Sequence, residues 1–122
     1  MKIRRGDVVL AMYPFASGTG ASRRPAVVVQ DDRDNARMQN TIIAQVTTNL
    51  GRAAEPTHLR IDVGSNEAGE TGLLHNSVVS CNNLATVHTD RIVRVIGHLS
   101  DAMSRHLDAC FEGSIGVDLS AF

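Results

Sequence analysis

The chain of 122 residues has no tryptophan, a single tyrosine and only 3% aromatic residues. An extended platform of rings on which nucleic-acid bases stack is therefore not expected. Lysine is almost absent as well: Lys2 is alone among 12 basic residues, and the others are arginines. A net charge of −1 gives the molecule no long-range pull on nucleic acid as a whole. Any anion recognition must come from local arginine forks, which suit phosphate geometry. The two cysteines, Cys81 and Cys110, form no CxxC and sit among apolar neighbours, so they read as buried free thiols.

Other signatures are missing too. No apolar run approaches the roughly 20 residues that cross a bilayer. The opening "MKIRRGDVVLAM" is interrupted by Asp7 and reads as a strand, not a signal peptide. The histidines (His58, His75, His88, His98, His106) show no metal-ligand spacing and no HExxH, so neither metal nor cofactor is expected. There is no GxGxxG, and "SGTG" lacks the lysine of a phosphate loop. These absences, with 43% hydrophobic and 20% charged residues, leave one globular domain over residues 1–122 in a cytoplasmic setting.

What is present is a run of short apolar strands. "GDVVLAMYPF" (Gly6 to Phe15) is the first, and the small residues Ala16 to Ser22 form a flexible loop. "PAVVVQ" (Pro25 to Gln30) is the second strand, with proline at its first position. A polar connection over Asp31 to Asn40 precedes a third strand, Thr41 to Thr48, and a fourth, Thr57 to Val63. "SVVSC" and "RIVRVIGHL" are strands flanking a turn near His88 to Asp90. The period then changes. Ser100 suits an N-cap, Met103, Leu107, Cys110 and Phe111 share a helical face, and Gly113 is expected to stop the helix. The order predicts a mainly β fold, a strongly bent sheet or small barrel with a C-terminal helix.

The chemistry-bearing residues lie at strand ends. Arg24 immediately precedes the second strand, at its mouth, and Thr47 and Thr48 end the third. If these strands are neighbours, an arginine and a hydroxyl converge beside the glycine-containing loop. Two plainer readings stand beside this one: a surface salt bridge for Arg24, and good strand formers for the threonines. Asp31 and Asp32 suit a solvated turn. A Cys–His nucleophile is disfavoured because Cys110 lies on the helix's core face.

At these residues the sequence resembles the MazF/PemK-type toxin endoribonucleases. "RRGDVVLA" (Arg4 to Ala11), "RRPAVVVQDD" (Arg23 to Asp32) and "TIIAQVTTN" (Thr41 to Asn49) are similar to the family's first three strands. "EPTHLRI" and "GLLHNSVVSCNNLATVHTDRI" (Glu55 to Ile61, Gly72 to Ile92) are similar to the later ones. The resemblance implies an SH3-like barrel with a terminal helix and a homodimer. It also implies metal-independent cleavage of single-stranded RNA to a 2′,3′-cyclic phosphate and a 5′-hydroxyl, and neutralisation by a cognate antitoxin protein.

Carried over, the catalytic arginine falls on Arg24 and the catalytic hydroxyl on Thr47, with Thr48 the competitor if the register slips. Phe15, Arg23, Gln45, Asn49 and Arg52 are candidates for RNA contacts, and Ala16 to Arg23 would form a mobile loop over the groove. That loop, "YPFASGTGASR", departs from the charged loop of many members. His75 takes no role. Gyrase-poisoning relatives of the same fold (the CcdB type) act through a C-terminal tryptophan motif, and a chain without tryptophan ending "GVDLSAF" disfavours that reading. A barrel that only binds RNA or a partner is the remaining alternative.

Overall fold

The computed structural model describes residues 2–14 and 17–116. Among them are six strands, β1 (Asp7–Pro14), β2 (Ala21–Val28), β3 (Asn40–Thr47), β4 (His58–Ile61), β5 (Ser77–His88) and β6 (Ile92–His98). They form one sheet in the order β4-β5-β3-β2-β1-β6, with every pairing antiparallel. Two α-helices, α1 (Asp32–Arg37) and α2 (Asp101–Ile115), and two single-turn 3₁₀ helices complete the fold. This is the mainly β architecture with a C-terminal helix that the element order predicts. No helix of the described residues is long and apolar enough to cross a membrane.

Successive residues of a strand face opposite sides of a sheet, and here both sides are buried. One core holds Val8, Val27, Ala44, Val46, Leu59, Ile61, Val79 and Cys81 against Leu99, Met103, Leu107 and Cys110. The last three project from one face of α2. Its first turn is closed by Ser100, whose hydroxyl accepts from the Met103 N–H at 3.1 Å. The second core gathers the alternate residues Val9, Ala11, Tyr13, Ala26, Val28 and Ile43, with Ile3, Val87 and Ile92. A bent sheet is what lets one set of strands enclose two apolar faces.

Bends are visible in the registers. Between Ala44 and Gln45 the partners on β5 jump from Leu84 to Ser80, so Cys81, Asn82 and Asn83 have no partner on β3. Such bulges kink a strand and sharpen its twist. The β1–β6 ladder shifts register twice as well.

Several expectations need correction. The second strand begins at Ala21, because residues 21–24 pair with β1 in a hairpin that the sequence pattern does not reveal. Arg24 therefore stands within β2, opposite Ala11, and not at the strand's mouth. Pro25 is tolerated mid-strand because β3 pairs with β2 only from Ala26 onward, leaving residues 21–25 an unpaired edge on that side. The polar stretch after β2 folds into α1, with the Asp31 carboxylate accepting from the Arg33 N–H at 2.8 Å. The strand beginning "SVVSC" runs on to His88.

Gly113 does not end α2. The helix continues to Ile115, and Gly116, at φ 70°, takes the left-handed conformation that closes it.

Candidate functional site

The second face continues past its apolar core into a polar region built by three strands. Across the sheet, Ala26 pairs with Gln45, Gln45 with Ser80, and Ser80 with His58. These four residues form one transverse row on one face. In the next row Thr47 pairs with Val78, and Val78 with Arg60. The β2–β3 ladder ends at Ala26 and Gln45. Continued by two residues, its register sets Arg24 across from Thr47 on the same face. No backbone hydrogen bonds join the strands there, so the row opens into a mouth.

Arg24 is exposed, and its Nε donates to Ser22 Oγ at 2.8 Å, which steadies the guanidinium along β2. No ion pair among the described residues involves it, so the salt-bridge reading does not account for the residue. Its terminal N–H groups remain available to an anion. Thr47 Oγ1 accepts from the Asn49 N–H at 3.1 Å, which closes the turn after β3 and leaves the hydroxyl proton free to donate.

Thr47, Gln45, Asn49 and Arg52 line one surface pocket of about 460 Å³, together with Gly51, His58 and Ser80. Thr48 lies on the other side of β3, in a separate pocket with Leu10, Pro25, Leu73, His75 and Arg94. A one-residue step along a strand reverses the face, and that step separates the two threonines. Arg23 is displaced from Arg24 in the same way and pairs with Met12. Phe15 and Ala16 lie outside the described residues. Of the loop expected over the groove, Ala21 to Arg23 belong to β2, and Gly18 and Gly20 turn the chain at positive φ.

Asn49 has a structural task too, since its Oδ1 accepts from the Gly51 N–H at 3.0 Å. Arg52 is well exposed and stands 4.0 Å from Glu55. Gln45 is held by the bulge: the Asn83 carboxamide nitrogen donates to its Oε1, leaving the Gln45 NH₂ group as a donor. Asn83 is held in turn by Tyr13, whose hydroxyl donates to its carbonyl at 2.5 Å. Burial pushes the Tyr13 phenol up to about 12, against a weaker opposing effect from the Gln45 backbone.

Sequence reasoning missed Tyr13, Ser22, His58, Ser80 and Asn83. Strand alternation carried a signal for two of them: Ser22 shares Arg24's parity, and His58 alternates with the core residues Leu59 and Ile61. Asn83 enters through a bulge, for which the sequence offered no signal.

Both cysteines are free and buried. They lie in the core packed against α2, on the opposite side of the sheet, so neither is a nucleophile at this face. Among the described residues no group of three or more His, Cys, Asp or Glu side chains is arranged to hold a metal ion.

The sequence and the fold have counterparts. A family model described as "PemK-like, MazF-like toxin of type II toxin-antitoxin system" matches residues 4–114. The chain is similar to Endoribonuclease EndoA of Bacillus subtilis (strain 168), at 30% identity over 118 residues, covering 96% of this chain and 97% of that one. It superposes on an endoribonuclease from Mycobacterial species with a TM-score of 0.75 at 17% identity, covering 96% and 94%. It also superposes on an endoribonuclease in complex with its cognate antitoxin from Mycobacterial species, with a TM-score of 0.73 at 20% identity, covering 95% and 97%.

Proposed function

The chain belongs to the PemK-like, MazF-like toxin family of type II toxin–antitoxin systems, and on that footing we propose that it is an endoribonuclease toxin. It cuts single-stranded RNA by attack of a 2′-hydroxyl on the adjacent phosphate, leaving a 2′,3′-cyclic phosphate and a 5′-hydroxyl. The observation that carries this reading is the shared face of Arg24 and Thr47, beside a pocket lined by Gln45, Asn49 and Arg52.

In such a reaction negative charge grows on the equatorial phosphate oxygens. The Arg24 guanidinium, which has no ion-pair partner among the described residues, supplies charge and donors there. The Thr47 hydroxyl donates to a phosphate oxygen from the other side of the mouth. Gln45 and Arg52 contact flanking bases and backbone, since specific readout of RNA works on splayed single strands. No step in this scheme calls on a metal ion or cofactor. The protein acts as a single toxin domain over residues 1–122, paired as a homodimer in the cytoplasm and silenced by a cognate antitoxin protein. The name of one structural neighbour, an endoribonuclease with its cognate antitoxin, supports that partner.

The test is incubation of the purified protein with long single-stranded RNA in excess chelator, followed by chemical mapping of the new ends. Discrete cuts with 5′-hydroxyl ends are expected. Intact RNA, or 5′-phosphate ends appearing only with added divalent metal, would refute the assignment.

A further inference from the structure

Arg24 and Thr47 stabilise charge, but neither accepts the proton that the 2′-hydroxyl must lose: a guanidinium cannot be deprotonated in a protein, and a threonine hydroxyl is a poor base. The pocket contains one side chain built for the task. His58, at the start of β4, lines the same pocket as Thr47, and its side chain is only 5% exposed.

Its two ring nitrogens have different surroundings. Nδ1 lies 2.8 Å from Thr57 Oγ1 and 3.5 Å from Glu55 Oε2. Nε2 has no partner among the described residues, yet it is not sealed from solvent, because no buried polar side-chain atom among them lacks a partner. With its hydrogen on Nδ1, held toward Thr57 and Glu55, the imidazole carries its lone pair on Nε2. An orienting group behind one nitrogen and an open lone pair on the other is the arrangement of a general base.

The register supplies the geometry. His58 is two strands from Gln45 in one transverse row, and Thr47 stands in the next row. Strand spacing and rise put the His58 and Thr47 backbones roughly 12 Å apart, enough for one ribose–phosphate between their side chains. The groups facing His58 are few. From β3 and β5 they are the neutral Gln45, Thr47 and Ser80. The segment before β4 brings Glu55 and Arg52, themselves 4.0 Å apart. Arg60, next on the same face, is paired with Asp62 at 2.8 Å. Helix α2 packs on the opposite side of β4, against Leu59 and Ile61.

Resting on the ribonuclease reading above, we infer that His58 is the general base of the cleavage step, oriented through Nδ1 by Thr57 and Glu55. The 2′-O–H bond breaks and its proton passes to Nε2 as the 2′-oxygen bonds to phosphorus. The P–O5′ bond breaks, the leaving oxygen takes a proton from solvent, and the imidazolium returns its proton to solvent. No oxidant, metal or co-reactant is consumed.

The experiment is the pH–rate profile for cleavage of one mapped site by the wild-type chain, His58→Gln and Glu55→Gln, each checked for folding by urea unfolding. The wild-type rate should rise with a slope of one on the acid side and then level. His58→Gln should fall by on the order of 10²–10⁴-fold and lose that slope. Glu55→Gln, which keeps a hydrogen-bonding group behind Nδ1, should lower the rate less than His58→Gln does. His58→Ala, which opens space at Nε2, should regain activity with added imidazole.

If folded His58→Gln cleaves like the parent, or is slow but keeps the parent's pH profile, His58 is not the base while the ribonuclease reading stands. If the wild type cleaves no RNA, both fall.

Discussion

Arg24 on β2 and Thr47 on β3 share one face of the sheet, two residues beyond the last paired rung of their ladder at Ala26 and Gln45. The strands hold the two residues in register, and the end of the ladder leaves open space between them. A cation with no carboxylate partner among the described residues and a hydroxyl with its proton free thus flank a gap. That combination is suited to an anion in a way that neither residue would be alone.

The two threonines at the end of β3 give the first prediction. Thr47 borders the site pocket and Thr48 opens on the far face. Thr47→Val should lower RNA cleavage at least about tenfold, a loss of about 1.4 kcal/mol in transition-state binding. Thr47→Ser, which keeps the hydroxyl, should retain most activity. Thr48→Val should stay close to the parent. Initial rates on one mapped RNA site check all three.

Tyr13 is the single tyrosine of the chain, so its ionisation can be followed by ultraviolet absorbance without interference. Burial favours the neutral phenol and raises its titration from 10.0 to about 12. The sign follows: the folded state binds this proton more tightly than the unfolded one, so the phenol's contribution to stability is complete below pH 10 and is lost as pH rises through about 12. A titration midpoint near 10 in the native protein would contradict the burial. Tyr13→Phe should show a weaker alkaline loss of stability than the parent.

Gly113 lies inside α2, where a glycine lowers helix stability relative to alanine. An added Cβ would meet Pro56 at 3.5 Å, an ordinary contact. Gly113→Ala should therefore stabilise the protein by about 0.5–1 kcal/mol, read from the urea midpoint, with RNA cleavage unchanged. Destabilisation would mean that the glycine is needed against Pro56.

Much of this architecture was legible in local pattern. Alternation in "THLRID" and the apolar runs before Gln30 and Thr47 announced strands, and the change of period after Ser100 announced the helix. Arg24 and Thr47 were legible as polar residues beside such runs. What was hidden depends on pairing between distant segments. The extension of β2 back to Ala21 exists because β1 is its partner, and the three unpartnered residues of β5 depend on β3. His58 joins the pocket through β5, which lies between β4 and β3. Local residue types do not encode such long-range registers, and so Arg24 and Thr47 could be singled out from the sequence while the residues around them could not. Gly113 failed as a stop signal for a related reason: packing of Met103, Leu107 and Cys110 carries the helix past one weak residue.

The most direct measurement is single-turnover cleavage of a mapped RNA site by Arg24→Ala, compared with the parent in chelator, with equal urea midpoints showing that both are folded. Arg24 is exposed and in no ion pair among the described residues, so stability should change by no more than about 0.5 kcal/mol. The cleavage rate should fall on the order of 10²–10³-fold, the loss expected when one transition-state donor is removed. A folded Arg24→Ala protein cutting the same site at the parent's rate would contradict the assignment of Arg24 as the phosphate clamp.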